Sequence, residues 1–421
     1  MTSQPKSVVI IGGSLAGLLH GLSLKRRGSN VVVLEQDPST TRSGHEAGIA
    51  YGPGVGELLD KYDDTGVASH ASAAATRIAF RKREDLKTIN LVRHLSSWVL
   101  LYRILRANFD GTASEAVPSP PPPRAGDGTA EYRAGKRVTG LAYDERAGLV
   151  TVRYVSRDGD GGEESVTADL VLAADGVHST VRGLVNAPTA KEYSGYVSWR
   201  GTVPEKDLPP RTAAYFKNNA TLDFLKRNYI VGYTIPGDAG GEDRLINFVW
   251  YYNYEEGSSE LDEALTDIHG HRHANTVPAG LVQPAVWKRH LASALPAVAA
   301  PFAELIARAK TPFVTKVNDV FTERAAYCDG RVVLVGDALA TFRPHLALAT
   351  EQAARHCLGL EKVWDGDKTL QEWEHETLTW GKRIWMGSRV LGIFGQGTWW
   401  QFFKIIGAYI SLVLRLRRGK L

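Results

Sequence analysis

The sequence predicts an α/β fold joined to an α+β layer: a parallel-sheet domain built from two separated parts of the chain, an antiparallel sheet between them, and a helical tail. Three observations carry this. Residues 8–11 and 31–34 are short apolar strands bracketing a glycine turn and a helical pattern. Two later apolar strands, around residues 170–174 and 331–335, also end in Asp and Gly. Between those two, residues 193–252 read as aromatic-rich strands without intervening helices, which suits an antiparallel sheet.

The first element is Val8-Val9-Ile10-Ile11, followed by Gly12-Gly13-Ser14-Leu15-Ala16-Gly17 and an apolar helical pattern through Leu18, Leu22 and Leu24. Val31-Val32-Val33-Leu34 then runs into Glu35-Gln36. This strand–turn–helix–strand unit holds a dinucleotide. Its glycines let N–H groups at the helix N-terminus approach a pyrophosphate, and the carboxylate after the second strand reaches a ribose hydroxyl. Ser14 stands where the fingerprint has its middle glycine.

Residues 57–62 read as a short helix, and 77–80 and 90–92 as strands. Residues 95–108 form a helix with Ser96 or Ser97 as N-cap; Trp98 and Tyr102 on its apolar face are read as core. Residues 112–128, with consecutive prolines at Pro120 to Pro123, form a surface insertion. Residues 138–143, 149–155 and 164–167 alternate as a meander. Strand candidates follow at 193–203, 212–217, 229–235 and 245–252, then helices at 261–269 and 301–309, a strand at 313–320 and a helix at 350–364. The domain plan is 1–190 and 313–368 for the dinucleotide layer, 191–312 for the antiparallel sheet, and 369–421 for the tail.

Composition narrows the function classes. With 421 residues, 43% hydrophobic and 23% charged, the chain has room for two interlocked domains. A net charge of +4 does not argue for nucleic acid. Cys328 and Cys357 give no disulfide framework and suit a reducing, cytoplasmic setting. The polar residues 1–6 are unlike a secretory leader, and no apolar run reaches the roughly eighteen residues of a membrane span. His269, His271 and His273 alternate beside Gly270 with no adjacent carboxylate or cysteine set at metal spacing, so no metal is expected.

The three strand ends, in this order and separation, resemble the class A flavoprotein monooxygenases, the aromatic hydroxylases of para-hydroxybenzoate-hydroxylase-like fold. The matching segments are Ile10-Ile11-Gly12-Gly13-Ser14-Leu15-Ala16-Gly17, Ala174-Asp175-Gly176-Val177-His178-Ser179-Thr180-Val181-Arg182 and Arg331-Val332-Val333-Leu334-Val335-Gly336-Asp337-Ala338. More narrowly, Gly195-Tyr196-Val197-Ser198-Trp199-Arg200-Gly201, Asn247-Phe248-Val249-Trp250-Tyr251, Pro312-Phe313-Val314-Thr315 and Arg343-Pro344-His345 are similar to the subgroup containing 2,6-dihydroxypyridine hydroxylase. The resemblance spans about residues 7–375.

It implies FAD in a Rossmann-like domain, with the adenosine end at Gly12, Gly13, Ser14, Leu15, Ala16, Gly17, Glu35 and Gln36. Gly48 would lie near the isoalloxazine. Asp175, Gly176, Gly336 and Asp337 would follow the ribityl chain and pyrophosphate. The stretch carrying Pro344, Ala347, Ala349 and Thr350 would run along the flavin ring, its N–H groups facing the pyrimidine edge. NADPH or NADH would dock transiently at Asp175-Gly176. The chemistry implied is reduction of FAD, uptake of O₂ as a C4a-hydroperoxide and transfer of OH to a small phenol, hydroxybenzoate or hydroxypyridine, with loss of CO₂ left open. Two further departures from the family stand beside Ser14. Trp98 stands where many relatives have an arginine, so one phosphate contact must come from elsewhere and Arg42, Arg93 or Arg103 could supply it, and alanines replace glycines after Pro344, restricting φ.

His345 is the residue expected to relay a substrate proton. Arg200 either steers an anionic substrate or ties the sheet to the flavin layer. Trp199, Tyr233 and Trp250 are expected as walls of the substrate site, with sheet packing as the alternative. The apolar tail, ending in Arg415, Arg417, Arg418 and Lys420, either lies on an anionic membrane or packs on the body or on a second subunit of a homodimer. Packing is the preferred reading. Rival functions are epoxidation or oxidative rearrangement of a polyketide-like aromatic, and a flavin-binding scaffold without turnover.

Overall fold

Three sheets organise the computed structural model, which describes residues 3–39, 47–80, 87–157, 162–241 and 243–417. The first has six strands in the order Ala326–Tyr327, Val332–Leu334, Leu170–Ala173, Ser7–Ile11, Asn30–Leu34 and Ala130–Arg133. All neighbours pair in parallel except Ala326–Tyr327. Its inner strands Ser7–Ile11, Leu170–Ala173 and Val332–Leu334 are apolar on both faces because helices Leu15–Arg26 and Ala349–Trp364 and other elements cover them. The meander Lys136–Asp144, Leu149–Ser156 and Glu163–Ala168 forms a separate three-stranded sheet.

The large mixed sheet lies beside this layer. Its central strands are Phe313–Thr322, Thr189–Pro204, Arg244–Asn253, Tyr229–Pro236 and Asn219–Phe224, paired antiparallel from Phe313–Thr322 to Asn219–Phe224. The sheet is not confined to residues 191–312. Ser72–Phe80, Lys87–Ser97 and Gly48–Tyr51 extend it, and Asn219–Phe224 pairs in parallel with Ser72–Phe80. The dinucleotide half thus contributes one edge of the sheet, which carries Gly48 against the central strands.

Register decides what each strand presents. Trp199 lies opposite Trp250, and Ile230 opposite Trp250 from the other side. These residues share one face, buried with Phe248, Phe302 and Leu305 against helices Pro210–Phe216, Pro284–Ala294 and Ala300–Ala307. Their neighbours one position along, Arg200, Tyr229 and Tyr251, therefore point to the opposite face.

Several local expectations change. Residues 212–217 are not a strand: Pro209 and Pro210 open the helix Pro210–Phe216, where a proline at N1 loses no hydrogen bond. The expected helix over 261–269 stops at Ala264. Asp267 then accepts N–H bonds from His269 and His271, closing a loop, and its other oxygen meets His273 Nε2 at 2.8 Å. That carboxylate is the partner the sequence reading missed for the histidine run. The helix expected from 95 starts at Trp98 with Ser97 as its cap, because Lys87–Ser97 continues as a strand. The tail forms two helices, Leu370–Gln396 and Trp399–Arg417. Among the described residues, no helix is long and apolar enough to cross a membrane.

Candidate active site

The three glycine and aspartate motifs meet at the carboxyl ends of adjacent parallel strands. Gly12 has φ +101°, and a side chain there would collide with the Ala174 carbonyl beside Asp175. A side chain on Gly17 would strike the Gly12 carbonyl, and one on Gly336 would come within 2.8 Å of Ala16. The glycines are required by backbone approach, so the first motif touches both others. Arg182 binds them further: its guanidinium donates to the carbonyl oxygens of Val177, Asp337 and Ala338.

This cradle fits a dinucleotide such as FAD. Ser14 is extended and makes no capping bond to Leu15–Arg26, so no side chain occupies that helix N-terminus. Buried Glu35 accepts N–H bonds from Gly13 and Asp37 at 2.8 Å each, which fixes its carboxylate at the end of the second strand beside the glycine turn. Gln36 is exposed beside it. Asp175 accepts from Val181 N through Oδ2, while its buried Oδ1 has no hydrogen-bond partner among the described residues. Burial raises both acids, Asp337 to about 6 against the pull of Arg182.

Sequence reading missed the aromatic floor of this end. Tyr132 covers Gly13 and donates to its carbonyl at 3.1 Å, and the Arg106 guanidinium lies 3.7 Å from the Tyr132 ring centre. Trp98 stacks on Tyr102 with centroids 5.1 Å apart. Of the arginines proposed to replace the family's arginine, Arg103 is committed to the Asp238 carbonyl and Glu115. Arg93 keeps a buried Nε without a partner among the described residues; Arg42 lies outside those residues.

The second half of the site is the inner face of the large sheet. Gly48 N donates to Asn247 Oδ1 at 3.0 Å, and Arg200 Nη2 donates to the Gly48 carbonyl at 2.9 Å. A side chain on Gly48 would enter both Asn247 and Tyr233. Arg200 therefore ties the sheet to the strand Gly48–Tyr51. Its positive charge also opposes the rise that burial imposes on the Tyr233 and Tyr251 hydroxyls. Arg200 Nε and Asn247 Nδ2 are buried donors without partners among the described residues, which suits a polar ligand on this face. Tyr233 is brought to this group; Trp199 and Trp250 are not. Both tryptophans are 0% exposed on the opposite face, where Trp199 stacks on His290 and Trp250 meets it at a tilt.

His345 closes the far end. It sits in the turn Pro344–Leu346, with Nε2 2.5 Å from Tyr196 Oη and Nδ1 bonded to Tyr229 Oη. The Tyr251 ring meets it edge-on, centroids 4.7 Å apart. Burial, helped by Arg343, pushes the imidazole down to about 3, so it is neutral. Burial raises Tyr196 to about 12. Arg343 holds the segment in place through Asp319 at 2.5 Å. Ala347 adopts φ +51°, the left-handed conformation that favours glycine, at a cost of about 1–2 kcal/mol. Ala349 and Thr350 begin Ala349–Trp364, whose N-terminus also has no side-chain cap. The long tail helix seals the cage: side chains on Gly392 and Gly395 would come within 2.6 Å of His345 Nε2 and of the Tyr229 ring.

A cradle for a long dinucleotide, facing a polar aromatic sheet, defines a flavoprotein oxidoreductase site. Comparison with known proteins gives the family. A family model described as FAD binding domain-like matches residues 193–319. The 2,6-dihydroxypyridine 3-monooxygenase of Paenarthrobacter nicotinovorans is 30% identical over 388 residues, covering 90% of this chain and 89% of the relative. The 6-hydroxynicotinate 3-monooxygenase of Pseudomonas fluorescens is 26% identical over 424 residues, covering 94% and 92%. The solved structure of 2,6-dihydroxypyridine-3-hydroxylase from Arthrobacter nicotinovorans superposes with a TM-score of 0.77 at 27% identity, over 94% of both chains. The chain belongs to the class A FAD-dependent aromatic monooxygenases.

Proposed function

We propose that this enzyme hydroxylates a small electron-rich ring of the hydroxypyridine or hydroxybenzoate type, held on the sheet face between Gly48 and His345. Bound FAD supplies the redox chemistry, drawing electrons from NAD(P)H and delivering one oxygen atom of O₂ to the ring. In this reading FAD lies along segments 1–190 and 313–368, against Gly12 to Gly17, Glu35, Gln36, Asp175, Gly176, Gly336 and Asp337, with Gly48 and the Pro344 to Thr350 stretch at its ring.

The observation that carries the reading is the His345 imidazole fixed between two tyrosine hydroxyls on the face that also presents Arg200 and Asn247. A neutral imidazole has one N–H and one acceptor nitrogen. A proton arriving at one nitrogen can therefore leave from the other, toward Tyr196 or Tyr229, without leaving a lasting buried cation. Such a relay removes the ring hydroxyl proton and makes the ring a better nucleophile. Arg200 favours the resulting anion. Tyr233 and Tyr251 form the apolar wall that keeps water out.

The test is NADH and NADPH oxidation by the FAD-loaded protein with a panel of dihydroxypyridines, hydroxynicotinates and hydroxybenzoates, with products read by mass. The reading predicts oxidation stimulated by one ring class and a product gaining one oxygen. Flavin binding with no stimulation across the panel would favour the scaffold instead.

A further inference from the structure

The terminal helix Trp399–Arg417 packs one face on the body and leaves the other bare. Leu412 is buried, while Trp399, Phe403, Ile410 and Leu414 are exposed by 68%, 64%, 53% and 46%. These four follow helical spacing, with Gly407 completing the stripe and Trp400 at its flank. Exposed Lys404 and Arg415, eleven positions apart, lie together along the stripe's edge. A groove of about 510 Å³ adjoins it, lined by Phe394, Trp399 and Phe402 from the tail and by exposed Lys226 and Arg227 from the hairpin turn between Asn219–Phe224 and Tyr229–Pro236.

The charge is concentrated here. Residues 377–421 hold eight of the chain's 50 basic residues and none of its 46 acidic ones, so they carry +8 while the remaining 376 residues carry −4. A large exposed apolar stripe edged by basic groups, on a helix too polar to span a bilayer, is the pattern of an interfacial helix. Tryptophans at its start suit the headgroup boundary. A second copy of the chain fits poorly. A two-fold interface would set this patch against itself, basic edge near basic edge, with no acid in the last 45 residues to relieve it.

We propose that the outer face of Trp399–Arg417 docks on an anionic membrane surface, with the apolar stripe in the headgroup layer and the basic edge on lipid phosphates. The test is co-sedimentation of the full-length, FAD-loaded protein with phosphatidylcholine vesicles, with and without phosphatidylglycerol. Binding should require phosphatidylglycerol and weaken as salt rises. The double variant Trp400→Ser/Phe403→Ser should weaken it roughly tenfold or more, and Lys404→Gln/Arg415→Gln by roughly tenfold. NAD(P)H oxidation in solution should stay unchanged in both variants. Equal binding to neutral and anionic vesicles, no binding, or a dimer in light scattering that Trp400→Ser/Phe403→Ser dissolves would each overturn the proposal.

Discussion

His345 illustrates what one residue can reveal before a structure is known. Its position after Pro344 marked it for proton chemistry, but nothing in the sequence paired it with Tyr196 and Tyr229, which lie 149 and 116 positions away. His345→Gln should lower kcat about a hundredfold while flavin content stays at wild-type level, measured by steady-state oxidation and flavin absorbance. Tyr196→Phe should lower kcat in the same direction and alter its pH profile, because it breaks the relay at one nitrogen. The tryptophans went the other way. Trp199 and Trp250 drew attention by size, whereas pleat parity decides which residues share the face of Arg200 and places both tryptophans on the other one. Trp250→Ala should therefore cost about 3–5 kcal/mol of stability, read by denaturant unfolding, as expected for a fully buried indole.

At the level of elements, the strands and turns of the dinucleotide layer were legible because each is local: an apolar run, a glycine forced by backbone approach, an acid at the strand end. The long helix Leu370–Gln396 was legible as a helix but not as a wall of the site. The available signal was Gly392 and Gly395, an i, i+3 pair on one face of a helix that also carries Gly381 and Gly387. Alanine is the better helix former by about 1 kcal/mol, so Gly392→Ala would strengthen an isolated helix. In this fold the added methyl meets His345 Nε2 and Tyr196 Oη at 2.6 and 2.8 Å. The expected outcome is a lower kcat with unchanged helix content and flavin binding, checked by circular dichroism and turnover. A variant with full activity would show that the helix does not hold His345.

Across the whole molecule, buried titrating groups set the pH response. His20, His290, His345 and His356 are held neutral by burial, at about 4, 3, 3 and 3. Their unfolded forms bind protons below about 6.5, so stability falls as pH drops from there toward the folded values. Asp337, raised to about 6, opposes this between about 6 and its ordinary range. Burial raises Asp175 in the same sense as Asp337, and the four histidines outnumber these two acids, so the net effect is a loss of stability as pH falls below neutrality. Urea unfolding at pH 7 and pH 5.5 checks the sign. The family was legible from three short motifs because dinucleotide binding constrains backbone at the ends of adjacent strands. The proposed substrate face was less legible because it is assembled from side chains on three strands, with Gly48 on a fourth and His345 in a turn, and only the fold supplies their register. Turnover of a hydroxypyridine or hydroxybenzoate substrate under isotopically heavy O₂ decides whether this enzyme is a ring hydroxylase. The expected product carries one heavy oxygen atom on the ring and forms only with NAD(P)H and FAD. A product whose new oxygen comes from water, or NAD(P)H consumption that yields only hydrogen peroxide with every ring tried, would contradict that reading.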